Sequence, residues 1–258
     1  NPARMQLADR LDHIGVEGFL KETQKKLSFP LRYALADRCE PRRPVIKHGH
    51  LGILPQKQAG FNYIGVAIPV GRMSVAQMEA LADLADSCGS GELRLTVWQN
   101  VIVPDVPDTK IEEATAAIRE MGYDWRASGT ASGLVACTGN TGCRFASTNT
   151  KGQAVALGDY LHEQIDLDEP INIHLTGCPN SCAQHYISDI GLLGTKVETA
   201  TGAIEGYHVY VGGGSDQDQG LGREFAKNIP FAELPPLLER LLNGYKAHRA
   251  PGESFLAF

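Results

Sequence analysis

Phe61-Asn62-Tyr63-Ile64-Gly65-Val66-Ala67-Ile68-Pro69 reads as a strand, rich in β-branched and aromatic residues and closed by a proline. The residues C-terminal to it decide the architecture of this part of the chain. Ser74 opens a helix with Gln77, three residues on, as its capping-box partner. Val75, Met78, Leu81, Ala82 and Ala85 recur at helical spacing, and Gly89-Ser90-Gly91 ends the run. Residues 93–97 and 101–103 read as two strands. Thr109 and Glu112 form a second capping box for a helix reaching residue 121. The order β-α-β-β-α matches half or more of a ferredoxin-like sandwich.

Downstream the texture changes. Residues 127–143, Ala-Ser-Gly-Thr-Ala-Ser-Gly-Leu-Val-Ala-Cys-Thr-Gly-Asn-Thr-Gly-Cys, are rich in Gly, Ser and Thr, as suits backbone folded closely around something. A helix is expected over 151–163 and strands over 171–175, 187–193 and 207–211, with an amphipathic helix over 231–248. Upstream, residues 1–50 read as a helical start and then an irregular basic stretch, with Arg38, Arg42, Arg43 and Lys47 around Pro41 and Pro44. The expectation is an α+β chain in three parts. Residues 1–50 are a lead-in belonging to a preceding domain, 51–126 a ferredoxin-like half-domain, and 127–258 a mixed α/β domain.

The bulk properties narrow the function. The 258 residues are 43% apolar and 21% charged, ordinary for a globular protein. The net charge of −6 lacks the basic footprint of a nucleic-acid binder. No apolar run approaches the roughly 18 residues of a spanning helix. The N-terminal residues contain no apolar signal core, and the first residue is Asn, not Met, which reads as trimming. A cytoplasmic location is expected.

Four of the six cysteines fall in two tight pairs, Cys137/Cys143 and Cys178/Cys182. In a reducing compartment such pairs serve more often as metal ligands or redox groups than as disulfides. Four thiolates suit a cubane iron–sulfur cluster. Four cysteines also make a structural zinc site, although zinc pairs usually enclose two to four residues and the first pair encloses five. Inert thiols are the third reading that spacing leaves open. Cys39 and Cys88 lie outside the pairs, Cys88 near a helix end and expected to be buried.

The local spelling adds to this. Cys137-Thr138-Gly139-Asn140-Thr141-Gly142-Cys143 and Thr176-Gly177-Cys178-Pro179-Asn180-Ser181-Cys182 closely resemble the sirohaem–cluster signature of nitrite and sulfite reductases. Gly52-Ile53-Leu54-Pro55-Gln56-Lys57-Gln58 and residues 89–100, Gly-Ser-Gly-Glu-Leu-Arg-Leu-Thr-Val-Trp-Gln-Asn, resemble that family's ferredoxin-like half-domain. The resemblance covers about residues 45–258 and is closest to the C-terminal half of an assimilatory, ferredoxin-type nitrite reductase. It implies that Cys137, Cys143, Cys178 and Cys182 hold one [4Fe–4S] cluster, with Cys182 also the axial ligand of sirohaem. It implies cofactor contacts for Gln99, Asn100 and Asn180. Lys57 is a candidate partner for a carboxylate of the macrocycle, or simply a solvated loop lysine. Arg144 either offsets the cluster's charge or is solvated, and Gly212-Gly213-Gly214 is read as a permissive turn. His174, His185 and His208 lack a metal-type spacing and are read as packing or hydrogen-bonding residues.

The Thr-Gly-Asn-Thr-Gly spacer and Ser181 favour nitrite over sulfite within this resemblance. The implied reaction is six-electron reduction of nitrite to ammonium, with ferredoxin or a similar one-electron donor. A sulfite reductase and a non-catalytic iron–sulfur electron-transfer module are the alternatives. Distal Arg and Lys groups for the anion cannot be identified in these residues. The N-terminal half of the same enzyme, in cis or in trans, is therefore an expected partner, and the chain alone is expected to be incomplete for catalysis. The basic stretch from Arg38 to Lys47 is a candidate docking site for an acidic donor.

Overall fold

Strand pairing gives two helix-covered sheets and a small two-stranded one in the computed structural model, which describes residues 7–34, 38–40, 46, 48–127, 131–215 and 219–258. The chain forms two compact units, residues 1–43 and 44–258. In the first, helix α1 (Leu7–Gln24) bends at Gly15. The Gln24 side chain then closes the next turn, donating to the Phe29 carbonyl at 2.9 Å and accepting from the Leu31 N–H at 2.6 Å. Arg38 is exposed; Pro41, Arg42, Arg43, Pro44 and Lys47 of the basic stretch lie outside the described residues.

The second unit begins with an antiparallel sheet of β1 (Gly52–Pro55), β2 (Phe61–Val66), β3 (Arg94–Leu95) and β4 (Val101–Pro107), ordered β1-β2-β4-β3. Helices α2 (Val75–Cys88) and α3 (Ile111–Glu120) supply the apolar cover, in a core that includes Ile64, Val66, Leu81, Leu84, Val103 and Ile118. The ferredoxin-like half is thus present, with β1 as an added strand whose four residues and terminal Pro55 give it a weak strand signal.

Three local expectations change. The Ser74–Gln77 capping box forms in full, but the buried face of α2 is Leu81, Leu84, Ala85 and Cys88. Val75, Met78 and Ala82 lie on the exposed side. Thr109 caps nothing: residues Asp108–Lys110 make a 3₁₀ turn, and α3 starts at Ile111 behind Lys110 without a side-chain cap. The strand expected over 93–97 shrinks to two residues. Its chain turns back from Thr96 to Asn100, leaving Leu95 and Val97 82% and 87% exposed.

The other sheet holds β5 (Leu134–Ala136), β6 (Ile173–Thr176), β7 (Ile190–Thr199), β8 (Gly202–Val211) and β11 (Arg223–Pro230), ordered β11-β8-β7-β6-β5; β9 (Gly214–Ser215) and β10 (Gln219–Gly220) form a small separate hairpin. β5, β6 and β7 run parallel, and β8 and β11 are antiparallel. β6 is buried at every residue, as a central parallel strand requires. β11 sits at an edge, and its charged residues hide it from hydrophobic patterning. Helices α4 (Thr150–Gln164) and α5 (Leu234–His248) close a core that includes Leu157, Leu161, Leu175, Tyr207, Leu238 and Leu242. Val70, from the 3₁₀ turn Pro69–Gly71 after β2, is fully buried in this second core.

Replacing fully buried Leu157 by Ala is expected to lower unfolding free energy in urea by about 2–5 kcal/mol. Leu95→Ala, at an exposed position, is expected to stay within about 0.5 kcal/mol of the parent.

Candidate functional site

A β5–α4–β6 crossover dictates where the cysteine loops lie. Parallel neighbours must be joined by a crossover, so both loops leave the same, C-terminal end of the sheet, where parallel α/β folds place their ligands. Ala136 and Leu175 are partners in register. Cys137 and Cys178 come within one and three residues of those positions. The Cys137 N–H donates to the Leu175 carbonyl at 3.0 Å, extending the ladder into the first loop. The Gly177 N–H donates to Cys137 Sγ at 3.2 Å, and the Ser147 N–H to the Gly177 carbonyl at 2.7 Å, so the two loops are stitched together.

Two glycines make this approach possible. Gly139 holds φ +72°, and a Cβ there would lie 2.6 Å from Thr150 Oγ1; a Cβ on Gly177 would lie 2.6 Å from that of Ala146. In the second loop Ser181 takes φ +52°, with its hydroxyl 2.7 Å from His185 Nδ1. Cys137 and Cys143 are half-buried, Cys178 is buried and Cys182 exposed. What burial Cys182 has pushes its thiol up, and the negative charges of Cys137, Cys178 and Cys143 push it further, a sign that all four sulfurs share one neighbourhood. Four cysteine sulfurs on two loops stitched together at Cys137 Sγ are a donor set that fits a cubane, which gives each thiolate its own iron.

Helix α4 begins at the same end. Asn149 caps it by accepting from the Gly152 N–H, and the Thr150 hydroxyl donates to the Cys137 carbonyl at 2.7 Å and lies 3.6 Å from Cys137 Sγ. The partial positive charge of the helix N-terminus therefore faces the Cys137 sulfur. Lys151 is half-buried, and its ammonium donates to the Val70 carbonyl. Val70 holds φ +48°, a costly conformation for a β-branched residue, and this bond helps to retain it.

Gln99, itself at φ +63°, uses its amide on the backbone of Ala136, donating to the carbonyl at 2.8 Å and accepting from the N–H at 3.2 Å. β5 is the sheet's edge, so the side chain completes its open ladder. Asn100 is buried within the half-domain, accepting from the Ile68 N–H at 2.9 Å and lying 2.9 Å from His50 Nε2. Asn180 is exposed in the second cysteine loop. Lys57 lines, with Tyr63, Arg94 and Asp105, an open cleft of about 550 Å³ beside the antiparallel sheet. Arg144 is exposed, its guanidinium 4.8 Å from the centre of the Phe145 ring. The Gly212 and Gly213 N–H groups donate to the carbonyls of Asp189 and Ser188 and form a turn. His174 is buried against Trp98, His185 is held by Ser181, and His208 accepts from the Asn228 N–H. Cys88 is buried and Cys39 exposed. Sequence reasoning missed Glu205, a β8 carboxylate that accepts from both Asn140 and Asn149; only the folded sheet brings it to the first loop.

Residues 54–121 match the model of the nitrite/sulfite reductase ferredoxin-like half domain, and residues 129–253 that of the nitrite and sulphite reductase 4Fe-4S domain. A ferredoxin–nitrite reductase of Synechococcus elongatus is 36% identical over 242 residues, 94% of this chain and 46% of the relative. A ferredoxin sulfite reductase of Mycolicibacterium paratuberculosis is 33% identical, over 93% of this chain and 44% of the relative. The solved structure of the Mycobacterium tuberculosis NirA protein superposes with a TM-score of 0.84 at 31% identity, covering 99% of this chain and 47% of NirA. The chain thus spans a little under half the length of these relatives.

Removing the Gln99 amide strands a buried N–H at Ala136. Gln99→Ala is expected to cost about 1–3 kcal/mol in chemical denaturation and to speed hydrogen exchange at the Ala136 amide. Unchanged exchange there would mean that another group protects it.

Proposed function

We propose that the chain, which belongs to the nitrite and sulfite reductase family, is the cluster-bearing half of an assimilatory nitrite reductase. In this reading Cys137, Cys143, Cys178 and Cys182 bind one [4Fe–4S] cluster and Cys182 also ligates a sirohaem. The observation that carries it is the meeting of two glycine-shaped cysteine loops at one end of a parallel sheet, within a segment matched by a 4Fe-4S domain model. When bound, the two groups supply an electron store and an iron on which a small anion is held. The reaction, NO2− + 6 e− + 8 H+ → NH4+ + 2 H2O, then asks the protein to hold thiolates, exclude stray ligands and present cations.

The chain's own residues meet the first of these demands. The Gly177 N–H and the start of α4 stabilise negative charge at Cys137. Cys182, the most exposed of the four, is suited to face a second metal beyond the cluster. Of the further cofactor contacts, we assign Asn180 and Lys57 to the macrocycle directly. Gln99 and Asn100 would support it indirectly, by holding β5 and the β2–β4 junction. Cations for the anion are assigned to the partner half, in cis or in trans, and the electron donor to ferredoxin or a similar one-electron carrier. No helix among the described residues is long and apolar enough to cross a membrane. A cytoplasmic location agrees with the reducing conditions that open thiolates need.

Anaerobic purification followed by iron, zinc and acid-labile sulfide analysis tests the ligand set. Replacing any of the four cysteines by Ser is expected to abolish the cluster, and Cys39→Ser and Cys88→Ser to retain it; stoichiometric zinc without sulfide would end this reading. Steady-state assays with both anions are expected to give a higher kcat/KM for nitrite, and a preference for sulfite would move the protein to the other branch of the family.

A further inference from the structure

Opposite the first cysteine loop, on the second residue layer, one carboxylate gathers three donors. Glu205 accepts from Asn140 Nδ2 at 2.5 Å, from the Asn149 N–H at 2.9 Å and from Gln153 Nε2 at 2.8 Å. Asn140 lies between Cys137 and Cys143, Asn149 caps α4, and Gln153 sits in its first turn. One side chain thereby ties the loop to the helix that stands behind it. Tyr207, two residues along β8 and on the same face, backs the arrangement by donating its hydroxyl to Gln153 Oε1 at 2.5 Å.

The site favours a charge rather than merely an acceptor. Burial by itself would raise the Glu205 carboxyl, but the Asn149 N–H, the Asn140 amide and Lys196 outweigh it and hold the group below the usual carboxylate range. The α4 N-terminus adds its partial positive charge. The only cation paired with Glu205 among the described residues is Lys196, its register partner on β7, at 3.6 Å and half exposed. A pair this open is weak and screened, and of its two charges it is the carboxylate that is bonded to the loop.

We propose that Glu205 is a positioning residue for the first cysteine loop and that its fixed charge lowers the reduction potential of the cluster held there. This rests on the cluster assignment made above. Reduction adds an electron to a site already rich in thiolate charge, so a neighbouring carboxylate disfavours the reduced form, and nearby charge is one of the factors that set such potentials. The hydrogen bonds act separately, by holding the loop through Asn140.

Two variants separate the roles. Glu205→Gln keeps the shape: its amide oxygen can take the Asn149 and Gln153 bonds while Asn140 turns its own amide oxygen toward the new Nε2, so bonding survives while the charge is lost. Glu205→Ala loses both. In the anaerobically purified holoprotein, a redox titration followed by electron paramagnetic resonance is expected to show a higher midpoint potential for E205Q. The same change at Glu198, an exposed carboxylate farther along β7, is expected to leave it in place. E205A is expected to hold its iron about 10–100-fold less tightly against a chelator, the typical effect on metal affinity of losing a group that supports the ligands from behind. An E205Q potential equal to the parent's overturns the electrostatic role, and parental iron retention in E205A overturns the positioning role. E205Q that folds natively but holds no cluster overturns the electrostatic role as stated, because the charge would then be needed for retention rather than for tuning the potential. A parent protein without iron and sulfide refutes the cluster assignment itself, which sets that failure apart from these.

Discussion

The parallel pairing of β5 with β6 is the constraint on which the rest depends. Their register puts Ala136 beside Leu175, and from that point both chains run directly into cysteine loops. A slip of one residue would turn Cys137 to the other face of the sheet and separate it from the Gly177 N–H. The pairing is short and lies at a sheet edge, so it needs support from outside. Gln99 gives it on the open side by bonding both backbone groups of Ala136, and α4 gives it from above through Thr150. The half-domain is therefore part of the scaffold of the cysteine loops as well as a neighbour to them. It contributes Gln99 to the strand edge, Val70 to the second core, and Trp98 as a ring against His174.

Seven non-glycine residues hold positive φ among those described, and three of them, Val70, Gln99 and Ser181, belong to these contributions or to the cysteine loops. Each is retained by a specific bond: the Lys151 ammonium on the Val70 carbonyl, the Gln99 amide on Ala136, the Ser181 hydroxyl against His185. Strain of order 1–3 kcal/mol per residue persists only where surrounding structure over-determines it. At these three positions the backbone is held, not merely permitted.

The range of each interaction decides how legible it is in the sequence. The Ser74–Gln77 box spans four residues and can be read directly; the cysteine loops carry their glycines with them. The α2 face cannot be read so, because helical spacing allows more than one stripe, and only the sheet beneath selects Leu81, Leu84 and Cys88. Leu93 to Val97 has strand composition, yet the turn back at Thr96 and Asn100 outweighs that propensity. Gln99 stands out as a residue of interest, but its bonds run to Ala136, 37 positions away. Glu205 is 65 positions from Asn140, with nothing near either to suggest the other.

The crossover that joins the two loops also bears on the order of assembly. Cys143 and Cys178 are separated by the whole of α4 and of β6, and the loops meet only after β5 and β6 have paired. Closing so long a connection costs conformational entropy that no local contact repays, so parallel pairing is intrinsically slow. The nascent chain can offer two thiolates of one loop early, but all four only once the sheet has formed. Under the proposed ligand set, metal capture is a late event on the folding path, and a chain stalled before it would present half-sites open to the wrong metal or to oxidation.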